Sequence, residues 1–365
     1  MKSLHTATIF FVGPLPPPVH GFSEINRRML IALRSRHQVL AFDMTPRASR
    51  LSFLFILWRF LLCVVRRRPK ALYLALSGGY RQWIDLAFVL LARLRDIPIF
   101  VHHHSFSYLN DRRLSAVVSL RALRDATHVV LCECMGQQLM KQYGIELVNM
   151  RVLSNSAFLE DIEAPASCMA LVHAQPAALR IGFLSNITAE KGIFEFFAVL
   201  RESQALGVSL QGVIAGPVDS AIKESFSATL AASTNVQHVG AVYGVAKSAF
   251  FANIDILFFP SKLQEAEPVT ILEALGHGVP VIAFARGCIE GMVPAAAGAV
   301  FSYSETFAKH AIEALRPLAE NHVLLVQARH SARAIFEAGR ASNKAVLESL
   351  MAEMGGNGIT KPVSA

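Results

Sequence analysis

The sequence is poor in charge, in paired cysteines and in long apolar runs, and each shortage excludes a class of protein. Charged residues make up only 17% of the 365 residues and hydrophobic residues 53%, which excludes an intrinsically disordered chain. Five cysteines without framework spacing exclude a disulfide scaffold and favour a reduced, cytosolic protein with no secretory signal. The longest apolar run, residues 51–65, contains Arg59 and is shorter than the roughly 20 residues of a membrane-spanning helix.

Several catalytic and metal-binding motifs are also missing. The sequence has no Asp-x-Asp, no Walker A motif, no Gly-x-Gly-x-x-Gly and no serine nucleophile elbow. The Cys132-x-Cys134 pair has no second pair that would complete a zinc site. We therefore expect no metal site and no metal cofactor.

Positive charge is confined to the N-terminal half. Residues 1–175 contain 21 Lys or Arg and 11 Asp or Glu, a net charge of +10, whereas residues 176–365 contain 14 and 16, a net charge of −2. A basic half favours contact with an anionic surface. Because no nucleic-acid-binding motif is present, we expect a membrane surface and not nucleic acid as that partner.

Short β-branched or aromatic runs alternate with helical segments, which indicates βαβ units and parallel sheets. Six such runs are followed by an irregular segment, residues 156–179, and then by five more. The sequence thus predicts two doubly wound α/β domains facing a central cleft: an N-terminal domain over residues 1–170 and a second over 171–340. Residues 341–365 are predicted as a helix and tail, with the option of packing back on the N-terminal domain.

The most informative segment is residues 258–283, in which a buried strand, a polar loop and a short helix follow one another. Glu265 lies in the loop and Glu273 in the helix, and Pro268 stands where the first helical residue is expected. The free N–H groups of a helix start bind phosphate. Carboxylates beside a phosphate site suit neutral hydroxyl donors, so the segment predicts a nucleotide-sugar site.

This segment resembles the E-x7-E region of the retaining glycosyltransferases of family 4, which have the GT-B fold of two Rossmann-like domains. The resemblance implies that Glu265 holds hydroxyls of the donor sugar, that Glu273 holds the ribose, and that Pro268 and Val269 belong to the donor site. Glu265-Ala-Glu-Pro268 stands where the family has Glu-Gly-Phe-Gly. Incidental carboxylates on a solvated helix are the alternative.

A second match, residues 180–193, resembles the first strand and loop of the family's donor domain. It implies that Lys191 binds the diphosphate, while Asn186 occupies the place of the family's arginine and can offer only neutral hydrogen bonds. Gly216, at the end of the next strand, would line the nucleotide pocket. An exposed lysine at a helix start is the alternative for Lys191.

Two N-terminal segments extend the resemblance. Residues 12–22 are similar to the family's Gly-rich loop and place Gly21 near the donor, although a structural loop is the alternative. Residues 100–106, Phe-Val-His-His-His-Ser-Phe, end a strand where the family has a histidine that reaches the donor sugar. Neighbouring strand residues face opposite ways, so the three histidines cannot all point at one site. His104, the last of them before the polar Ser105, is the first choice and His103 the second, with a buried structural histidine as the alternative.

The resemblance implies a cytoplasmic, metal-independent retaining glycosyltransferase of polysaccharide biosynthesis. It would move a sugar from a nucleotide-diphosphate-sugar to a glycan or lipid-linked acceptor, with His104, Lys191 and Glu265 as its catalytic residues and no separate cofactor. A nucleotide-sugar epimerase or hydrolase of the same fold, or a non-catalytic subunit, is the alternative.

Residues 51–70 are the predicted contact with an anionic membrane. The apolar run 51–65 is followed by Arg66, Arg67, Arg68 and Lys70, a pattern of interfacial helices with basic flanks. A buried helix with a solvated basic end is the alternative. The membrane interpretation predicts a peripheral protein on the inner face of the membrane.

Overall fold

The computed structural model describes residues 7–18, 21–45, 51–159, 162, 178–304 and 306–356. These form two compact units. One comprises the described residues within Met1–Phe158 and Ala341–Ala365, and the other those within Leu159–Arg340. Most of the predicted linker, including the predicted domain boundary at 170/171, lies outside the described residues, as does the tail from residue 357.

The N-terminal unit is built on a six-stranded parallel sheet in the order β2-β1-β3-β4-β5-β6. Its strands are β1 (Thr8–Gly13), β2 (Gln38–Asp43), β3 (Ala71–Leu76), β4 (Ile99–His103), β5 (Thr127–Val130) and β6 (Asn149–Val152). Its helices are α1 (Gly21–Arg34), α2 (Leu51–Arg66), α3 (Gln82–Arg93), α4 (Ser107–Asn110), α5 (Leu114–Ala122) and α6 (Glu133–Tyr143).

Hydrophobic patterning explains this unit. Every residue of β3, Ala-Leu-Tyr-Leu-Ala-Leu, is buried, as expected for a central strand covered by helices on both faces. In α2, Ile56, Phe60 and Val64 recur at four-residue spacing and are buried, so that one face of the helix joins the core. Helices α2 and α3 pack side by side.

The C-terminal unit has a second six-stranded parallel sheet in the order β12-β11-β10-β7-β8-β9. Its strands are β7 (Leu179–Leu184), β8 (Leu210–Ala215), β9 (Val236–His238), β10 (Ile256–Phe259), β11 (Val281–Phe284) and β12 (Gly298–Phe301). Its helices are α7 (Ile193–Ala205), α8 (Lys223–Ala231), α9 (Val245–Ala252), α10 (Val269–Gly276), α11 (Phe307–Glu320) and α12 (His322–Met354). Two apolar clusters, one containing Phe183 and Phe196 and the other Phe259 and Ile271, make up its core.

Both sheets reverse their winding direction, and this reversal positions a site. In the C-terminal sheet, β8 and β9 extend from one side of β7, and β10 and β11 from the other. Loops leaving the carboxyl ends of the two strands at such a switch point diverge and leave a crevice. The switch point between β7 and β10 is therefore where a ligand site is expected. The predicted fold class, two doubly wound α/β domains, is confirmed.

Helix α12 is 33 residues long and begins within the C-terminal unit. Its last part belongs to the N-terminal unit, where Asn343 Oδ1 accepts the N–H of Ser154 at 2.8 Å and the Met351 carbonyl lies 2.9 Å from His37 Nε2. These polar contacts fix the end of the helix to the first unit.

Two local predictions were inexact. Strand β12 was not predicted, because Gly-Ala-Val-Phe is short and only partly buried. Pro268 precedes α10 as its cap instead of being its first residue. None of the helices in the described part of the chain is both long and apolar enough to cross a membrane.

Candidate active site

The loop after β7 carries Lys191 to the switch point of the C-terminal sheet. Gly192 follows it with φ +83°, and a Cβ there would lie 1.9 Å from the carbonyl oxygen of Pro260. Only glycine allows this left-handed backbone and this close approach. The loops after β7 and β10 therefore lie against each other, which brings Lys191 beside the segment that contains Glu265.

Lys191 and Glu265 form an ion pair. Lys191 Nζ lies 2.6 Å from Glu265 Oε1, with 24% and 19% of the two side chains exposed. The hydroxyl of Ser261, a buried residue, donates to the same carboxylate oxygen at 2.8 Å. The Glu265 carbonyl also accepts the N–H of Cys288 at 2.9 Å, so both the backbone and the side chain of Glu265 are held in place.

Helix α10 starts directly after this loop. Its cap, Pro268, is buried, and its carbonyl accepts the N–H of Ile271 at 3.1 Å. The N–H groups of Val269 and Thr270 precede that first hydrogen bond and have no acceptor within the helix. With the positive end of the helix dipole, they offer a place for an anion a few residues from Glu265.

Glu273, in the middle of α10, has a partner that the sequence did not indicate. Lys247 Nζ, from the first turn of α9, lies 2.7 Å from Glu273 Oε1. The Glu273 side chain is only 15% exposed, so the ammonium group compensates a largely buried carboxylate. No local pattern pointed to Lys247, because the contact joins two helices 26 positions apart.

Asn186 and Gly216 lie beyond the carboxyl ends of the neighbouring strands β7 and β8. Asn186 is exposed in the loop after β7. Gly216 directly follows β8 with φ +136°, and a Cβ there would lie 1.7 Å from the Ser185 carbonyl oxygen. The glycine is therefore required by packing between the ends of β7 and β8, whatever else it binds.

The N-terminal unit holds the predicted histidines. The ring of His104 lies 4.9 Å from Phe22 and 3.8 Å from His102. His104 Nε2 is buried and has no hydrogen-bond partner among the described residues. Burial lowers the pKa of His104 to about 3, so the ring is neutral near pH 7.

His103 and Gly21 have different surroundings. His103 is fully buried, with Nδ1 2.9 Å from the Tyr108 hydroxyl and Nε2 3.0 Å from His128 Nδ1. Both of its ring nitrogens are occupied inside the core, so the structure gives no support to His103 as the second choice. Gly21 begins α1 at an exposed position where a Cβ would meet no atom within 4 Å.

Asp85, at the start of α3, is a buried carboxylate that the sequence analysis did not single out. It accepts the N–H of Ser77 at 2.7 Å, at the carboxyl end of β3. Burial raises the pKa of Asp85 to about 7, against the opposing effects of Ser77 and Arg81. The sequence does carry a signal for it, because Asp85 is the single charged residue of the apolar segment 82–92.

A comparison with protein families matches residues 175–333 to the family described as glycosyl transferases group 1. A comparison with curated protein sequences finds no match. The family match covers the whole switch-point site, from the loop that bears Lys191 to the helix that bears Glu273.

Solved structures share the fold across nearly the full chain. Anabaena Alr3699/HepE, determined with UDP and glucose, is 15% identical with a TM-score of 0.72, over 95% of this chain and 100% of that one. A glycosyltransferase from Rickettsia africae ESF-5 is 15% identical with a TM-score of 0.72, over 96% and 99%. WaaG, a glycosyltransferase involved in lipopolysaccharide biosynthesis, is 15% identical with a TM-score of 0.62, over 95% and 99%. With the two-domain GT-B fold and a group 1 match over residues 175–333, the chain is a glycosyltransferase.

Proposed function

We propose that this glycosyltransferase transfers a sugar, with retention of configuration and without a metal ion, from a nucleotide-diphosphate-sugar to a glycan or lipid-linked acceptor. The observation that carries the proposal is the Lys191–Glu265 pair at the switch point of the C-terminal sheet. The pair places the ammonium group of Lys191, which can bind phosphate, beside the carboxylate of Glu265, which can accept hydrogen bonds from sugar hydroxyls. The neighbours determined with UDP, glucose or UDP-glucose support this donor class.

Lys191 has the role of stabilising the departing diphosphate. Negative charge on the leaving group grows toward the transition state, and a preorganised cation there lowers the barrier. The N–H groups at the start of α10 add to this stabilisation, and Asn186 contributes neutral hydrogen bonds. In the free chain Lys191 is paired with Glu265, so the donor binds by drawing the ammonium toward its phosphates.

Glu265 and Glu273 then have separate roles. Glu265, with Ser261 donating to one oxygen, accepts hydroxyls of the sugar. Glu273 accepts the ribose hydroxyls, and the ion pair with Lys247 holds its side chain in place in the absence of ligand. Gly216 lines the nucleotide pocket through its backbone, while Pro268 and Val269 border the phosphates.

His104 acts as a neutral group toward the sugar. Because burial lowers its pKa to about 3, it is not a source of protons near pH 7, and its unpartnered Nε2 is free to exchange a hydrogen bond with a hydroxyl. No nucleophile is assigned. The proposed transfer occurs on the front face, with the leaving phosphate as the base.

We also propose that α2 contacts the membrane. Beyond its buried face, the helix exposes Leu54, Trp58, Leu61 and Val65 to between 41% and 63%, at the spacing of a single stripe. The cations of residues 66–70 follow directly. An apolar stripe with basic residues at its end suits an anionic bilayer and a lipid-linked acceptor.

Thermal stabilisation by nucleotide diphosphates and their sugars tests the donor assignment first, since a ligand at about 100 times its Kd adds roughly 2.7 kcal/mol. Hydrolysis of the best donor, with the anomer of the released sugar followed by NMR, then tests catalysis and retention. Activity should persist in EDTA. Stabilisation by a donor without any turnover would favour the non-catalytic alternative, to which Asn186 points, and stabilisation by no nucleotide would refute the proposal.

A matched pair of variants tests the site. Glu265→Gln should abolish most donor hydrolysis. Glu195→Gln is the control. Glu195 forms an ion pair with Lys262 in the same unit, and its length of 2.6 Å equals that of the Lys191–Glu265 pair. This variant should leave hydrolysis near the parent level. Equal losses in the two variants would show that general stability, and not the proposed site, is being measured.

A further inference from the structure

A cavity of about 600 Å³ opens at the amino edge of the N-terminal sheet, where α2 and α3 end. It lies at the opposite end of the strands from the predicted His104 site. Its lining comes from the end of α2, the end of α3 and the residues that lead into β3 and β4. The predicted membrane contact, residues 51–70, includes the end of α2 and the residues that lead into β3, whereas the other two segments are brought to the cavity only by the fold.

The charge of this cavity is strongly positive. Four cations, Arg67, Arg68, Lys70 and Arg95, and one anion, Asp96, line it. Two helix ends contribute roughly half a negative charge each, which leaves a net charge of about +2 after the dipoles are compensated. The cations therefore exceed what helix capping requires. Arg95 is held across the two helix ends, with Nη2 3.4 Å from the Val65 carbonyl.

Two apolar stripes lead to the cavity. The stripe of α2 ends at Val65, whose side chain is 58% exposed. Helix α3 adds a second stripe of Trp83, Leu90 and Leu94 at spacings of seven and four, with Leu94 78% exposed. Leu94 itself lines the cavity. Exposed apolar surface and a basic cavity are therefore continuous.

We infer that this cavity binds the phosphate head group of an anionic bilayer lipid, while the stripes of α2 and α3 lie against its acyl chains. This inference rests on the membrane contact proposed above and adds to it a specific cavity in which the lipid head group binds. A soluble phosphate compound would make no use of the two stripes. A lipid matches both the excess positive charge and the apolar surface that borders it.

Native fluorescence provides the assay, because the two tryptophans of the chain, Trp58 and Trp83, lie one on each stripe. Vesicles of phosphatidylcholine with phosphatidylglycerol should shift the emission of both, and brominated lipid should quench it. Trp58→Phe and Trp83→Phe separate the contributions of α2 and α3. Vesicles of phosphatidylcholine alone should give a weaker response.

Arg95→Gln and Arg66→Gln are the decisive comparison. Each removes one exposed cation from the same end of the unit, but only Arg95 lines the cavity. A cation that only adds to the general attraction of the surface for the bilayer contributes about 1 kcal/mol, so Arg66→Gln should weaken vesicle binding roughly fivefold. A charge-assisted hydrogen bond to phosphate is worth about 1.5–3 kcal/mol, so Arg95→Gln should weaken binding by roughly 10- to 100-fold.

Four results would overturn the inference, and they are distinguishable. Equal effects of Arg95→Gln and Arg66→Gln would leave the membrane contact standing without a head-group site. Displacement of the parent from vesicles by millimolar inorganic phosphate would indicate a site for free phosphate. Self-association that buries both tryptophans without lipid would indicate a second copy of the chain. No response to any vesicle would refute the membrane contact as well, while nucleotide binding, measured separately by calorimetry, would still report on the donor site.

Discussion

Replacing Lys191 by Met should slow the reaction far more than it destabilises the fold. At 2.6 Å and an effective dielectric constant of about 20, the gross attraction between Lys191 and Glu265 is about 6 kcal/mol. Desolvation and side-chain ordering offset most of it, which leaves about 1–2 kcal/mol in the free chain. Urea unfolding of the variant should show a loss of that size.

The loss in the transition state should be larger, because the leaving diphosphate gains charge that only a placed cation can stabilise. Removing one preorganised group of this kind costs roughly 10²–10³ in kcat, about 3–4 kcal/mol. Donor hydrolysis should therefore fall by that factor, with a much smaller change in KM. Glu195→Gln, which breaks the comparable pair with Lys262, should cost a similar amount of unfolding free energy and leave kcat nearly unchanged.

Two outcomes would refute this reasoning. A kcat within threefold of the parent in a folded Lys191→Met protein would show that Lys191 does not stabilise the leaving group. A loss confined to KM would show that Lys191 binds ground state and transition state equally. In either case the phosphate cation would have to be sought elsewhere.

Three further predictions concern other groups. Glu273→Ala should weaken the binding of both nucleotide diphosphate and donor by about 1.5–3 kcal/mol, and unchanged affinity by calorimetry would remove Glu273 from the ribose site. Asp85 has a folded pKa of about 7, above its ordinary value of 3.8, so its contribution to stability is present at low pH and is lost as the pH rises from about 4 to 7. The parent should lose about 3 kcal/mol of unfolding free energy between pH 5 and pH 8 that Asp85→Asn retains, and parallel urea-unfolding profiles would contradict this. Neutralising the four cations of residues 66–70 with Gln should release the protein from anionic vesicles at low salt while nucleotide binding persists; undiminished sedimentation with vesicles would leave α2 as a helix with a merely solvated basic end.

The sequence was sufficient for the parts of the site that depend on local pattern. Strands such as Leu210–Ala215 can be recognised from their β-branched and apolar residues, although Gln211 within that strand is exposed. Lys191, after β7, was named as a candidate because residues 180–193 resemble the donor domain of the glycosyltransferase family. Glu265, after β10, was named from the polar loop before a helix start and from the same resemblance. Their roles remain predictions.

Contacts between distant segments could not be predicted in the same way. Lys191 and Glu265 are 74 positions apart, and only the strand order places β7 beside β10. Lys247 was missed because the sequence around a lysine in the first turn of a helix does not indicate which carboxylate it will pair with. Likewise, alternation separated His103 from its neighbours, but only the packing of Tyr108 and His128 placed it wholly within the core.

The sequence by itself thus determined the two parallel sheets, the candidate residues at the ends of their strands, and the apolar run of α2 with the basic residues that follow it. Tertiary structure decided which of these residues meet, which histidine nitrogens stay unpartnered, and that α3 brings Arg95 and Leu94 to the cations after α2. The physical reason is the range of the interactions. Hydrophobic periodicity is fixed by neighbours a few residues away, whereas ion pairs, cavities and buried polar contacts depend on strand order and helix packing, which no short segment encodes.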